Sequence, residues 1–285
     1  MSEIVKKSAT IAFAIITGVF TFVPESFFGK HEWISQEGLE QKEIFSNLDA
    51  QDINIVISRL VFLLLVFIVA LVGHVIFRKI RKRITIRGEN YSIRIEYGNI
   101  LEMSRCKRVI NFDECFTTQV GDKIADINAN SICGQYLAAH PNLDLQKLIN
   151  DANVKPAQTQ SLYQQKTRYD SGTIVPNGDD LLMAFAKLDE KGKGRFFSRD
   201  EYLQCLDLLW RELENHYAEN DVCVPILGAG TTTFEGGSGA SYSQQELLDM
   251  MILSYKLSSH KIKAPHKLRI VCKKNEGFSL NNIDR

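Results

Sequence analysis

The residues best suited to chemistry lie where an apolar, β-branched segment runs into glycines and threonines. The stretch reads Val224-Pro225-Ile226-Leu227-Gly228-Ala229-Gly230-Thr231-Thr232-Thr233-Phe234-Glu235-Gly236-Gly237. Glycine lets a backbone approach a ligand closely and adopt positive φ. Successive N–H groups can then surround a phosphate, and threonine hydroxyls add donors. No Gly-Lys-Ser/Thr follows, so this is not a P-loop. A flexible surface loop has a similar composition. A second candidate, Asn130-Ser131-Ile132-Cys133-Gly134-Gln135, sits where a loop enters a helix. Unpaired N–H groups and the helix dipole favour an anion there, although an ordinary helix cap explains the same residues. A third, Tyr97-Gly98-Asn99-Ile100, ends a strand, and a plain turn accounts for it equally well.

No catalytic constellation accompanies these loops. His140, His216, His260 and His266 are dispersed, and none adjoins a serine or cysteine motif. The acid pairs Asp179-Asp180 and Asp189-Glu190 fall at turns and are expected to be solvated. Neither H-E-x-x-H, G-x-S-x-G nor a zinc-deaminase pattern occurs. Six cysteines are scattered without a CxxC pair, so zinc has no local support. They are expected to be buried free thiols in a reducing compartment, with disulfides or a metal as the other readings.

The elements that must position these loops alternate between strand and helix. Ile84–Arg87 and Tyr91–Tyr97 have period two, as half-buried strands do. Strands are also expected at Arg108–Phe112, Thr173–Val175, Leu181–Leu188, Val222–Leu227 and Leu268–Cys272. Helices are expected over Ser131–His140 and Leu143–Ala152. Two more follow capping boxes, Ser198 with Glu201 and Ser243 with Glu246. Asn153–Gly172 reads as a polar loop, and Lys191-Gly192-Lys193-Gly194 as a turn. The alternation implies a largely parallel or mixed sheet covered on both faces.

The composition is 45% hydrophobic and 24% charged, with a net charge of +0. That neutrality speaks against a nucleic-acid partner. The average conceals an apolar N-terminal region. Leu60–Phe77 carries no formal charge, with His74 as its one ionisable group, and is followed by a basic run over Arg78–Arg83. Eighteen residues rise about 27 Å as a helix, near the thickness of a bilayer core. The basic run marks the cytoplasmic side, and Arg59 is expected to reach outward at the other end. A buried core helix is the competing reading. An earlier apolar run, with Thr10, Thr17 and Thr21 interspersed, is stopped by Pro24 but could extend through Phe28. A cleaved signal peptide is the alternative for it. Between the runs, Glu32, Glu37, Glu40, Glu43, Asp49 and Asp52 outnumber the lysines, as on an outer face. The expected organisation is a transmembrane helical hairpin over 1–83, with spans near 8–28 and 58–77, and a cytosolic α/β domain over 84–285. Both termini are then cytosolic at a bacterial inner membrane.

Taken in order, the three loops resemble the macro domain, a three-layer α/β/α fold that binds ADP-ribose. Gly98-Asn99-Ile100 resembles that family's Gly-Asp-Ile loop, with Asn99 in place of the aspartate. Val109–Phe112 resembles the next strand with its asparagine, Asn111. Asn130–Gln135 is similar to the first phosphate loop, reduced here to one glycine, Gly134. Pro225–Phe234 is similar to the second phosphate loop. The likeness spans roughly 88 to 275. It implies that Gly228, Ala229, Gly230, Thr231 and Gly134 hold a diphosphate. It places Asn99, flanked by Gly98 and Ile100, at adenine, and Asn111 and Phe112 on the ribose side. Ser131, Cys133, Gln135, Leu227, Thr232, Thr233 and Phe234 complete the implied ligand-binding set.

Two membrane helices ahead of such a domain resemble a narrower group, the membrane-anchored ThsA effectors of Thoeris antiphage defence. That resemblance implies a partner TIR-domain enzyme whose ADP-ribose-derived product, an ADP-ribose conjugate, is the ligand. It also implies ligand-induced homo-oligomers and disruption of the lipid bilayer. Neither cofactor, metal nor catalytic residue is expected. A membrane-tethered ADP-ribosyl hydrolase and a membrane scaffold that binds a protein are the alternatives.

Overall fold

The computed structural model of the protein describes residues 2–35, 49–196, 198–230, 232–234, 242–275 and 278–283. It forms two compact units, Met1–Arg81 and Lys82–Arg285.

In the first unit, α1 (Ser2–Phe22) is followed by a short α2 (Glu25–Phe28) and by α3 (Ala50–Ile80). Pro24 ends α1, because proline disfavours helical backbone in the residue before it, so the expected run over 8–28 is two helices. Thr10, Thr17 and Thr21 return their hydroxyls to the carbonyls of Lys6, Phe13 and Thr17 at 3.0, 2.9 and 2.7 Å. That satisfies three polar groups within the helix. The far end of α1 packs against α3. Phe20 and Phe28 pack edge-on at 5.4 Å, and both lie near Phe62 at 6.1 and 5.9 Å. Arg59 lies over the Phe20 and Phe28 rings and pairs with Glu25 at 2.7 Å. Asn54 accepts from the Trp33 and Ile34 N–H groups at 3.0 and 2.9 Å. Ala50–Phe77 is the one helix among the described residues long and apolar enough to cross a bilayer. The apolar part of α1 is confined to Ser8–Phe22. Glu37, Glu40 and Glu43 lie outside the described residues.

Among the described residues, the second unit holds a nine-stranded mixed sheet in the order β1-β2-β9-β7-β3-β5-β6-β8, with β4 beside β5. The strands are β1 Arg83–Arg87, β2 Ser92–Tyr97, β3 Cys106–Asp113, β4 Ile174–Asn177, β5 Asp180–Leu188, β6 Gly194–Phe196, β7 Asp221–Pro225, β8 Thr233–Phe234 and β9 Leu268–Cys272. The central strands β2, β9, β7, β3 and β5 are mutually parallel. Helices α4 (Ile132–Ala139) and α5 (Leu145–Asp151) cover one face. Helices α6 (Arg199–His216) and α7 (Gln244–Leu257) cover the other.

Adjacent residues on one strand feed opposite layers. Val109 and Leu181 join Leu209, Trp210 and Tyr255. Ile110 and Leu182 join Tyr136 and Ile149. A strand buried on both faces has no polar side, which explains the nearly continuous apolar β5. Ser131, Ser198 and Ser243 cap α4, α6 and α7, and Glu246 completes the Ser243 capping box. β6 and β8 escape the sequence reading because they are two or three residues long.

Two acids expected in solvent are buried instead. Asp180 pairs with Arg108 at 2.7 Å. Asp189 accepts the N–H groups of Lys191 and Lys193 at 2.9 and 2.8 Å and pairs with Arg195. Burial raises the Asp189 carboxyl, but those donors outweigh it and hold it below the usual carboxylate range. Asp180 opens β5 and Asp189 follows its last residue, and an arginine on the sheet reaches each.

Residues 153–172 form the expected loop and are pinned by Glu114, which is 2% exposed. Its carboxylate accepts from Ser161 at 2.5 Å and the Leu188 N–H at 3.1 Å, and it pairs with Arg168 at 3.3 Å. Replacing Glu114 with alanine leaves these donors without their acceptor. We expect a loss on the order of 3 kcal/mol. Thermal unfolding of the full chain checks this, with Glu114→Gln, which retains an acceptor, losing less.

Candidate functional site

A parallel sheet delivers the ends of its strands to one edge, and open α/β sheets hold ligands there. The carboxyl ends of β2, β9, β7, β3 and β5 surround a cleft of about 910 Å³. Gly98, Asn99 and Ile100 enter it after β2. Pro225, Ile226, Gly228, Ala229 and Gly230 enter it after β7, and Asn111, Phe112 and Asp113 from the end of β3. Phe185, Ala186 and Leu188 come from β5, and Val271 with Lys273, Lys274 and Asn275 from β9. The opposite wall is made by Gly121–Asn128 and Ser131–Cys133, with Gly192–Gly194 beside it.

The turn after β7 is fixed from below. The Tyr202 hydroxyl donates to the Leu227 carbonyl at 3.0 Å, and the Leu227 N–H meets the Met251 sulfur at 3.4 Å. Gly228 then takes φ +83, and a Cβ there would lie 2.8 Å from the Phe234 ring. Glycine is needed twice at this position, for its backbone and for the ring beneath it. Phe234 is 8% exposed and packs against Phe196, Tyr202 and Tyr242 at 5.7, 5.4 and 5.0 Å. At Gly230 the opposite holds: a Cβ would meet nothing within 4 Å.

The first turn of α4 supplies Ser131, Ile132 and Cys133 to the cleft. N–H groups in a first helical turn have no carbonyl partner within their helix. Gly134 has a different task. Its N–H donates to Ser131 Oγ at 3.0 Å, and a Cβ would lie 2.8 Å from Ala129 Cα. It lets the 128–130 segment press against the helix. Gln135 turns its amide onto the Asn130 carbonyl at 2.9 Å.

The expected residues therefore divide. The cleft gathers Gly98, Asn99, Ile100, Asn111, Phe112, Ser131, Cys133, Gly228, Ala229, Gly230 and Thr232. Gly134 and Gln135 shape the cap instead of lining the cleft. Leu227 and Phe234 are core residues that hold the turn. Thr233 sits in β8 opposite Arg195. Thr231 lies outside the described residues. Asn99 lines the cleft but also caps a turn, accepting from Leu101 N–H at 3.2 Å and donating to Glu102 at 3.0 Å.

Several lining residues were not singled out from sequence. Four lysines, Lys123, Lys193, Lys273 and Lys274, stand around the cleft with Asp113, Asp122 and Asp126. Burial pushes the Asp113 carboxyl above its usual range, although it accepts the Cys115 and Thr117 N–H groups at 2.8 and 3.1 Å. Ile124, on the 121–128 wall, is 68% exposed. The available sequence signal was Gly192 and Lys193 within the predicted turn.

The two loop glycines should separate in stability. Gly228→Ala places a side chain at positive φ against Phe234 and is expected to cost more than about 1 kcal/mol. Gly230→Leu projects into open space and is expected to leave the unfolding midpoint nearly unchanged. Thermal unfolding of both variants beside the unaltered chain makes the comparison.

The family model "Thoeris protein ThsA, Macro domain" matches residues 93–273. The Thoeris protein ThsA of Bacillus amyloliquefaciens (strain Y2) is 30% identical over 247 residues, covering 83% of this chain and 80% of that protein. Among solved structures, the macrodomain of Thermus aquaticus DarG aligns with a TM-score of 0.34 and 15% identity, over 64% of this chain and 98% of that one. The Oceanobacillus iheyensis macrodomain with ADP aligns with a TM-score of 0.39 and 9% identity, over 68% and 89%. Similarity at the level of these two structures defines no residue-by-residue equivalence. The family match spans the sheet from β2 to β9 and every cleft residue except Lys274 and Asn275, and the chain belongs to the Thoeris ThsA macro-domain family.

Proposed function

We propose that this protein is a membrane effector of antiphage defence that senses an ADP-ribose-derived nucleotide. One observation carries the reading: in a ThsA-family macro domain, the glycine-rich turn after β7 and the first turn of α4 line the same cleft. Backbone N–H groups from two directions suit a diphosphate, which offers several acceptors and negative charge. Gly228, Ala229 and Gly230 hold the diphosphate from the strand side, and Ile132 with Cys133 meet it from the helix. Asn99 and Ile100 receive the base at one end, and Asn111 with Phe112 receive the distal sugar at the other. The surrounding lysines attract the ligand over longer range, an effect that salt weakens.

The signal is an ADP-ribose conjugate released by a TIR-domain partner, and the protein responds by self-association that disrupts the membrane. The long apolar helix Ala50–Phe77 and the basic run after it support anchorage at the inner membrane, with the macro domain in the cytosol. A ligand drives such a change only by binding the assembled state more tightly than the resting one. The protein acts as a receptor, so release of free ADP-ribose from ADP-ribosylated protein is not expected.

Calorimetry of the detergent-solubilised chain with ADP-ribose is the test. We expect one site per chain and weaker binding as salt rises. Gly230→Leu should lower affinity at least roughly tenfold while the protein stays folded, because a side chain there occupies space the ligand needs. Absence of binding to the unaltered folded chain rejects the nucleotide-sensor reading.

A further inference from the structure

Two thiols touch outside the cleft. Cys106 opens β3, and Cys223 stands in the neighbouring parallel strand β7. Arg108 is the residue opposite Cys223, so the two cysteines meet on a diagonal. Their sulfurs are 3.0 Å apart, with Cys223 donating to Cys106. They share a small apolar cluster with Ile100 and Val271, bordered by Met103 and Ile132. Ile100, Ile132 and Val271 also line the cleft. Packing between the thiols and the Asn99 end of the cleft is therefore continuous.

We infer that Cys106 and Cys223 form a redox site, in which an oxidant of the peroxide class closes a disulfide between β3 and β7 and loosens the Asn99–Ile100 end of the cleft. The Cys106 sulfur attacks a peroxide oxygen; the O–O bond breaks, an S–O bond forms and water leaves. The Cys223 sulfur then displaces the second oxygen, also as water, and the S–S bond forms. Two thiols and one peroxide give one disulfide and two waters, with sulfur oxidised and peroxide reduced. A thiol reductant reverses the step by exchange.

Cys106 is suited to react first. It is 5% exposed at the start of its strand, whereas Cys223 is fully enclosed at 0%. The Cys223 hydrogen bond holds its thiol below the usual value, and Arg269 and Arg108 add to this against burial. A nearby cation and a donated hydrogen bond both favour thiolate. Closure brings the sulfurs to about 2.05 Å. Interiors packed as densely as crystals do not absorb such a movement locally, so Ile100 loses support from below.

The test uses the full chain in detergent micelles. After stoichiometric hydrogen peroxide, remaining thiols are alkylated under denaturing conditions and the digest is read by mass spectrometry. A linked peptide pair joining Cys106 to Cys223, lighter by two hydrogens and reversed by dithiothreitol, is expected. Full alkylation of both, with the partly exposed Cys115 oxidised instead, overturns the site. This arm needs no variant. The second arm rests on the ligand reading above. ADP-ribose should bind the oxidised chain roughly fivefold or more weakly than the reduced chain, and Cys106→Ser should abolish the difference. Equal affinities overturn the link to the cleft. Failure of ADP-ribose to bind the reduced chain rejects the sensor reading, while the peptide mapping still decides the disulfide.

Discussion

The hydrogen bond from the Tyr202 hydroxyl to the Leu227 carbonyl is the constraint on which the cleft rests. Leu227 lies beyond the last ladder position of β7, so its carbonyl leaves the sheet while buried. A buried carbonyl without a donor costs roughly 1–3 kcal/mol. Tyr202 supplies that donor from α6, and the Met251 sulfur meets the same residue's N–H from α7. Both helices thus hold the two peptide units that flank Leu227 in place. The next residue, Gly228, turns through positive φ over Phe234, and the chain emerges at the cleft with its backbone exposed.

From that fixed point the other parts follow. The five parallel strands bring four further loop ends to the same edge. The serine cap on α4 sets its first turn on the facing wall, and the close approach of 128–130 to Gly134 keeps that turn at its depth. Glu114 ties residues 153–172 to the ends of β3 and β5, which support the far side. Polar groups are spent on shape around the rim, while the floor is made of strand residues. The open space at Gly230 and the exposed Ile124 are where this frame leaves room for a ligand.

Much of this was legible in the residues. Period-two and doubly buried runs marked the central strands, and three serine caps marked helix starts. The glycine-threonine run after Pro225 and the loop before α4 each stood out from their residues, and the resemblance to the macro domain joined them around one ligand. What was not legible depends on distant partners. The family resemblance implied Phe234 as a ligand contact, and Phe196 and Tyr202 pack it into the core. Asp189 looked solvated until Arg195 and its own turn enclosed it. The lysines around the cleft are separated by up to 151 positions in the chain, from Lys123 to Lys274, and no local pattern joins them. The first apolar run shows another limit, since apolar composition continues past Pro24 while the helix does not.

The central claim is that backbone N–H groups at Gly228–Gly230 and at the start of α4 enclose a diphosphate. Amide hydrogen exchange of the full chain, with and without saturating ADP-ribose, reads those groups directly. The account predicts slowed exchange in peptides covering Ile226–Gly230 and Ser131–Cys133 together, with α6 unchanged. Saturation by ADP-ribose with exchange unaltered in both segments would contradict it.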